Sequence, residues 1–355
     1  MENYKSIKAL DFELRKINIL IGANGVGKSN LISFLSLLNA MVEKRLQEFV
    51  VKEGGAGSLL HFGPKESTYI QAELYFQRSY YKFRLEYTKD DKLSYAYEEV
   101  GFDRGNNEWF AYDINSSNPF LKRSPYESRL EEEARNPGFS GGKSIAFYVY
   151  HSIKSWRVYH FHDTSPSSPL RRACDINDNR FLREDGSNLP AFLYMLKHKY
   201  PEHYNLIEST FRSYVPAFDR FILEPQALNP ERIRLEWKPR GKDQTFSALH
   251  MSDGSLRLLC LLTLFLQPEE LMPSTIIVDE PELGLHPAGI YLLSELIKAS
   301  PVQVIASTQS PNLVKRFEPE DVIVAEYKDG RSTFNRLEKE NLLQQTIQNM
   351  QGITL

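Results

Sequence analysis

Cysteine is almost missing from this sequence: 355 residues contain two, Cys174 and Cys260. Two thiols cannot build a disulfide framework or a structural zinc site, and Cys260 lies inside an apolar run where packing is its expected role. Long hydrophobic stretches are missing too. The longest, Leu258 to Leu266, falls far short of the ~20 apolar residues that span a bilayer, and Met1-Glu-Asn-Tyr-Lys5 lacks the apolar core of a signal peptide. No membrane partner is expected, and a reducing cytoplasm is the natural compartment. Neither charge sign dominates. Lys plus Arg number 43 against 46 Asp plus Glu, a formal net charge of −3, so any contact with DNA has to be local rather than the product of a global basic field.

What is present suits a folded chain. Hydrophobic residues make up 41% and aromatics 12%, with 19 Gly and 19 Pro, enough apolar material for real cores without a disordered bias. The length fits two compact domains or one large domain with an insertion.

Lys16 to Ile21 reads as a short strand, followed by glycines and a helix-like segment from Ser29 to about Lys44. After Gly54-Gly-Ala-Gly57 comes period-2 alternation: Ile70, Ala72, Leu74 and Phe76, then Tyr81, Phe83, Leu85 and Tyr87. With Lys92 to Val100 and Glu108 to Tyr112 this predicts an antiparallel meander. Residues 115–142, rich in Ser, Asn, Pro and charge, read as an exposed excursion. Helices are expected over Asn188 to Lys199 and Pro201 to Tyr214, and a strand through Ile233, Leu235 and Trp237. The last third alternates helix Ser252 to Leu266, strand Thr275 to Val278, helix Pro287 to Lys298, strand Val302 to Ser307, then a short helix and strand Asp321 to Glu326. That order predicts a largely parallel sheet. A further helix is expected near Asn341 to Gln351.

Gly22-Ala-Asn-Gly-Val-Gly27-Lys28-Ser29 fits G-x-x-x-x-G-K-[ST] between a strand and a helix. Glycines let backbone amides curl around phosphate oxygens, Lys28 adds charge, and Ser29 can bind Mg²⁺. Gly22, Asn24, Gly25, Gly27, Lys28, Ser29 and Asn30 are the candidate nucleotide contacts. Thr275-Ile-Ile-Val-Asp279-Glu280 ends an apolar strand in two acids: Asp279 can hold Mg²⁺ and Glu280 can orient or deprotonate a water. Ser252-Asp-Gly254-Ser at a helix start is first of all a good cap. His160-x-His162-Asp163 invites a metal reading, but the sequence offers no third convincing ligand, so a strand end is the expectation. Arg171-Arg172, Lys197 to Lys199 and Lys238 to Lys242 read as solvated surface more readily than as DNA contacts.

Together, Asn3-Tyr-Lys5-Ser, Gly22 to Ser29, Leu59-Leu-His-Phe-Gly63, Ser252 to Arg257, Asp279-Glu-Pro-Glu-Leu-Gly-Leu-His286-Pro and Ala306-Ser-Thr-Gln309-Ser-Pro311 resemble ABC-type ATPases of the RecF, SMC and OLD branch. The resemblance implies an α/β fold: an ABC-ATPase head with a P-loop and a mixed sheet containing an antiparallel meander. Both ends of the chain would form the head, as 1–113 and 219–355, around a partly helical inserted middle, 114–218. It implies ATP and Mg²⁺ as cofactors, Mg²⁺ on Ser29 and Asp279, and ATP bound between two heads, with Ser252 and Gly254 contacting the nucleotide of the other copy. Glu282 to His286 would pass along that interface, and Lys5 would approach the phosphates. Catalysis would fall to Glu280, Lys28 and Gln309. Many relatives carry a histidine at the switch position. Gln309 there cannot gain a proton near neutral pH, so slow hydrolysis is expected. The family's Q-loop glutamine has no assigned counterpart; Val158 to Asp163 is the segment in question.

The expected function is an ATP-dependent switch, a homodimer or higher oligomer through ATP, which regulates a separately encoded effector such as a nuclease in anti-phage defence. About 45 residues follow Gln309, too few for a fused nuclease domain of the OLD type. The alternative is a RecF-like, ATP-timed DNA clamp in repair. A small-molecule kinase and a strand-separating motor fit the motifs poorly.

Overall fold

A computed structural model describes residues 1–105, 109–114, 126–138 and 142–338, and the helix expected near Asn341 to Gln351 lies outside them. The chain divides into two compact units that interleave along the sequence. Among the described residues, one comprises those within 1–13, 23–156 and 325–335; the other comprises 14–22, 157–324 and 336–338.

The first unit is built on the expected meander. Six antiparallel strands lie in the order Ile7–Ala9, Glu2–Tyr4, Tyr69–Phe76, Ser79–Tyr87, Leu93–Asp103, Trp109–Asp113. The alternation read from the sequence becomes register: Ile70 pairs with Leu85, Ala72 with Phe83 and Leu74 with Tyr81. Same-face apolar residues thus meet across the strands. The helix Lys28–Val42 buries Leu31, Phe34, Leu35, Leu38 and Met41, and its Asn39 amide donates to the carbonyls of Ile153 and Trp156 at 3.3 and 3.1 Å.

The excursion expected to be exposed is only partly so. Within its described part, the helix Leu130–Arg135 buries Leu130, Glu133 and Ala134. The Arg129 amide and the Tyr81 hydroxyl both donate to the buried carboxylate of Glu98, at 3.0 and 2.6 Å. A buried carboxylate demands such donors, and this requirement ties a polar-looking segment to the sheet.

In the second unit, parallel strands Val322–Lys328 (through its first residues), Ile17–Ile21, Gln303–Thr308 and Thr275–Asp279 lie side by side, with Trp156–Tyr159 beyond the last. Most of their Val, Ile and Ala residues are almost wholly buried, Ile17 and Val324 partly so, as parallel strands covered on both faces require. Helices Leu189–Lys199, Pro201–Tyr214, Asp253–Leu266 and Pro287–Ala299 contribute Phe192, Phe211, Leu259 and Leu293 to one continuous core. Cys260 is fully buried in that core, and burial raises its thiol pKa far above the ordinary value, so it is packing. The strand expected through Ile233, Leu235 and Trp237 is two strands instead, Asn229–Ile233 and Glu236–Pro239, in separate three-stranded sheets. Leu235 lies at the crossover, buried despite the break.

Candidate functional site

Three strand ends of the second unit finish in register. Ile21 stands opposite Thr308, and Ser307 stands opposite both Leu20 and Asp279. Gly22, Glu280 and Gln309 therefore leave the sheet at the same edge, the carboxyl edge where open α/β sheets place their ligands. Parallel pairing in register follows from apolar runs that all end at a polar or glycine residue.

At this edge the two acids are held differently. Asp279 accepts a short hydrogen bond from the Ser307 hydroxyl on one carboxylate oxygen. Glu280 has φ +42°, a left-handed conformation that costs a non-glycine residue about 1–2 kcal/mol. Its amide donates to the Ser307 carbonyl at 3.0 Å, and its carbonyl accepts from the Leu283 amide at 3.1 Å. These bonds fix the turn that swings the Glu280 side chain out of strand alternation. The Gln309 side-chain Nε2 donates to the Glu280 carboxylate, so the structure brings Asp279, Glu280 and Gln309 together.

Glu282 lies beneath them and has the stronger structural hold. One of its oxygens accepts from the Thr308 hydroxyl and, at 3.2 Å, from the Gln309 amide. The other is buried with no partner among the described residues. Burial therefore pushes its pKa above the usual carboxylate value, with the negative charge of Glu280 adding to the shift. Sequence reasoning placed Glu282 only on an interface loop; a second acid two residues after Glu280 was the available signal.

In the first unit, Gly25 and Gly27 have φ +79° and +105°, the conformations that the glycines of a phosphate-cradling loop exist to supply. A Cβ at Gly27 would lie 2.1 Å from the Ser332 hydroxyl oxygen. Lys28 is buried, and its ammonium donates to the Ala23 carbonyl at 3.0 Å, folding the side chain back over the loop. Asn30 donates to the Ser6 hydroxyl at 2.6 Å, while Asn24 and Ser29 are exposed. The first helical amides lack intrahelical acceptors, so with the Lys28 ammonium the loop offers donors and positive charge to an anion. Lys5 is committed elsewhere: its ammonium pairs with Glu53 at 2.7 Å and Ser33 at 2.9 Å.

Ser252 is exposed at the N-cap of the helix Asp253–Leu266, its hydroxyl accepting from the Ser255 amide at 3.2 Å. Gly254 is small because it must be: a Cβ there would lie 2.4 Å from the Gly284 carbonyl oxygen. His286 caps the helix Pro287–Ala299 by accepting from the Ala288 amide at 3.4 Å. Arg171, one of the surface cations considered for DNA, has its side chain almost wholly covered. It donates to the carbonyls of Thr164, Ala248 and Met251 and pairs with Asp253 at 2.7 Å, fastening the start of the same helix. Arg257 is the one charge inside that helix's apolar run. It donates to the carbonyls of Phe161 (3.0 Å), His162 (2.7 Å) and Leu283 (2.9 Å). Val158 to Asp163 is thereby held against the acid-bearing edge, with the His162 imidazole donating from Nε2 to the Asp279 carbonyl at 2.9 Å.

Residues 17–315 match the family model described as "AAA domain, putative AbiEii toxin, Type IV TA system". No curated protein matches the sequence. Among solved structures, an Smc head bound to the C-terminal winged-helix domain of ScpA is similar over 97% of both chains, with TM-score 0.58 and 18% identity. A Smc head with an extended coiled coil, bound to the C-terminal domain of ScpA from Pyrococcus furiosus, is similar over 100% of this chain and 98% of that one, with TM-score 0.53 and 16% identity. At these identities the likeness shows the fold alone, that of an Smc head domain.

Proposed function

We propose, from the premise that the chain belongs to the AAA domain family of the putative AbiEii toxin type and is therefore an ATPase, that it works as an ATP-driven switch. In this reading two copies join head to head through bound ATP, and the joined state acts on a separately encoded effector protein. The observation that carries it is the shared sheet edge, where Glu280, in a left-handed turn, meets Gln309 beside Asp279.

The residues present fit ATP and Mg²⁺. Gly25 and Gly27 have the glycine-only backbone of a phosphate cradle, and Lys28 and the first amides of its helix supply positive charge to the β- and γ-phosphates. Gly22, Asn24 and Asn30 complete the loop. Ser29 and Asp279 are the groups that would hold Mg²⁺, whose contribution is to offset phosphate charge. Glu280 orients a water and takes its proton. Gln309, which already hydrogen-bonds to Glu280, positions that carboxylate without itself titrating, so turnover is slow. Ser252 and Gly254 face the nucleotide of the second copy, and the loop to His286 lies along the joint. The Lys5 ammonium reaches phosphate only by leaving Glu53.

The solved Smc heads are bound to domains of ScpA, which supports a head whose output goes to another protein. Anti-phage defence by way of a nuclease is the setting we favour, in the cytoplasm; among the described residues no helix is long and apolar enough to cross a membrane.

The test is solution mass with Glu280→Gln in ATP and Mg²⁺, with and without the products of neighbouring genes. We expect a dimer or larger ring that Lys28→Ala abolishes; a monomer in every condition overturns the head-to-head reading. Recovery of the chain from its host without a protein partner, together with DNA cleavage by the purified chain alone, overturns the effector.

A further inference from the structure

We infer that His160, His162 and Asp279 form a binding site for a borderline transition-metal dication, with Zn²⁺ the fitting ion. Sequence alone argued against a metal at His160-x-His162 because no third ligand was in view. The fold supplies one from 117 residues away, the distance in sequence between His162 and Asp279. One potential ligand atom from each of the three side chains lies within 4.8 Å of the other two. Ligand atoms around a tetrahedral zinc at ~2.0–2.2 Å stand roughly 3.5 Å apart, so small side-chain rotations close the set.

Four features make this more than a chance cluster. His160 and His162 lie in the segment that follows the strand Trp156–Tyr159, and their rings lie side by side with centroids 6.3 Å apart. The backbone of that segment is pinned: the His160 amide donates to the Glu184 carbonyl at 2.9 Å, and Arg257 grips the carbonyls of Phe161 and His162. A carbonyl can only accept, so the His162 bond to the Asp279 carbonyl places a proton on Nε2. Imidazoles bound to metals are oriented in this way, by giving their other N–H to a carbonyl. The Ser307 hydroxyl engages one oxygen of Asp279 and leaves the second to a cation.

Two imidazoles and one carboxylate are the ligand set of open zinc sites, and imidazole selects zinc over magnesium. The consequence for the ATPase follows from sharing: an ion held here takes Asp279, the carboxylate that the nucleotide reading assigns to Mg²⁺. Zn²⁺ would therefore compete with Mg²⁺-ATP.

The test uses the full chain without nucleotide, titrated with ZnCl₂ by calorimetry and with CoCl₂ by visible absorption. Wild type should bind one Zn²⁺ per chain and give Co²⁺ bands of a nitrogen-ligated, low-coordinate ion. His160→Ala and His162→Ala should each weaken Zn²⁺ by at least about tenfold and bleach those bands, and Asp279→Asn should do the same. His160 is exposed, so its variant keeps the fold, as circular dichroism would check, and it carries the test if the His162 variant does not fold. Zn²⁺ affinity unchanged in His160→Ala, or no binding by wild type, overturns the site. Because nucleotide is absent, loss of ATP-driven dimerisation and loss of this site are separate results.

Discussion

At the scale of single residues, the most informative group is Glu282. Its carboxylate is buried, half satisfied by Thr308 and Gln309 and half without a partner among the described residues. Its pKa in the folded chain is raised by burial first, so folding favours the protonated form more than the unfolded chain does. The sign of the linkage follows. The contribution of Glu282 to stability is fully present below its unfolded value, near 4.5, and is lost as pH rises through the raised folded value. Glu282→Gln should imitate the protonated form and flatten this loss. Urea denaturation from pH 4 to 8 should show the variant gaining on wild type as pH rises and converging with it at the acid end. A constant difference across the range would mean that Glu282 is not the group that titrates. Glu280 shows the complementary economy, since a backbone conformation unfavourable to glutamate is held by Ser307 and Leu283 and sets the direction of the side chain.

At the scale of elements, the start of the helix Asp253–Leu266 concentrates several demands. Ser252 caps it, Arg171 ties its carbonyl-rich approach to Asp253, and Gly254 lets it pass against the Gly284 carbonyl. Gly254→Ala should drive a methyl to 2.4 Å from that oxygen, an overpacking that costs typically 1–3 kcal/mol. We expect a melting temperature several degrees lower, read by thermal denaturation in the absence of nucleotide; an unchanged value would mean that the glycine is there for the ligand alone. The elements themselves were largely legible from residue order. Periodicity located the meander strands because one face is buried, so Ile70, Ala72 and Phe83 alternate with polar neighbours. Gly27 and Lys28 were legible because their chemistry is local. What could not be read was partnership across the chain. The run through Ile233 and Trp237 alternates like one strand and breaks into two, because burial of Leu235 does not require that it be paired. Arg171 looks like surface charge until the carbonyls it serves are known. His160 and His162 lacked a third ligand for the same reason, since Asp279 reaches them only through the register of a different strand.

At the scale of the whole molecule, the chain passes between its two units within the glycine loop itself, Gly22 belonging to one and Ala23 to the other. Hydrogen exchange can separate what a nucleotide does within one chain from what it does between two. In Glu280→Gln with excess ATP and Mg²⁺, amides over residues 23–30 should be protected to the same degree at any protein concentration, because that loop binds in its own chain. Amides over residues 252–256 should gain protection only as concentration rises, because their ligand sits on the other copy, and binding linked to association follows mass action. Lys28→Ala should remove both effects. Protection at 252–256 that ignores concentration would place the Ser252 helix against its own nucleotide and end the head-to-head arrangement, while protection of 23–30 alone would leave an ATP-binding chain with no joint for ATP to close.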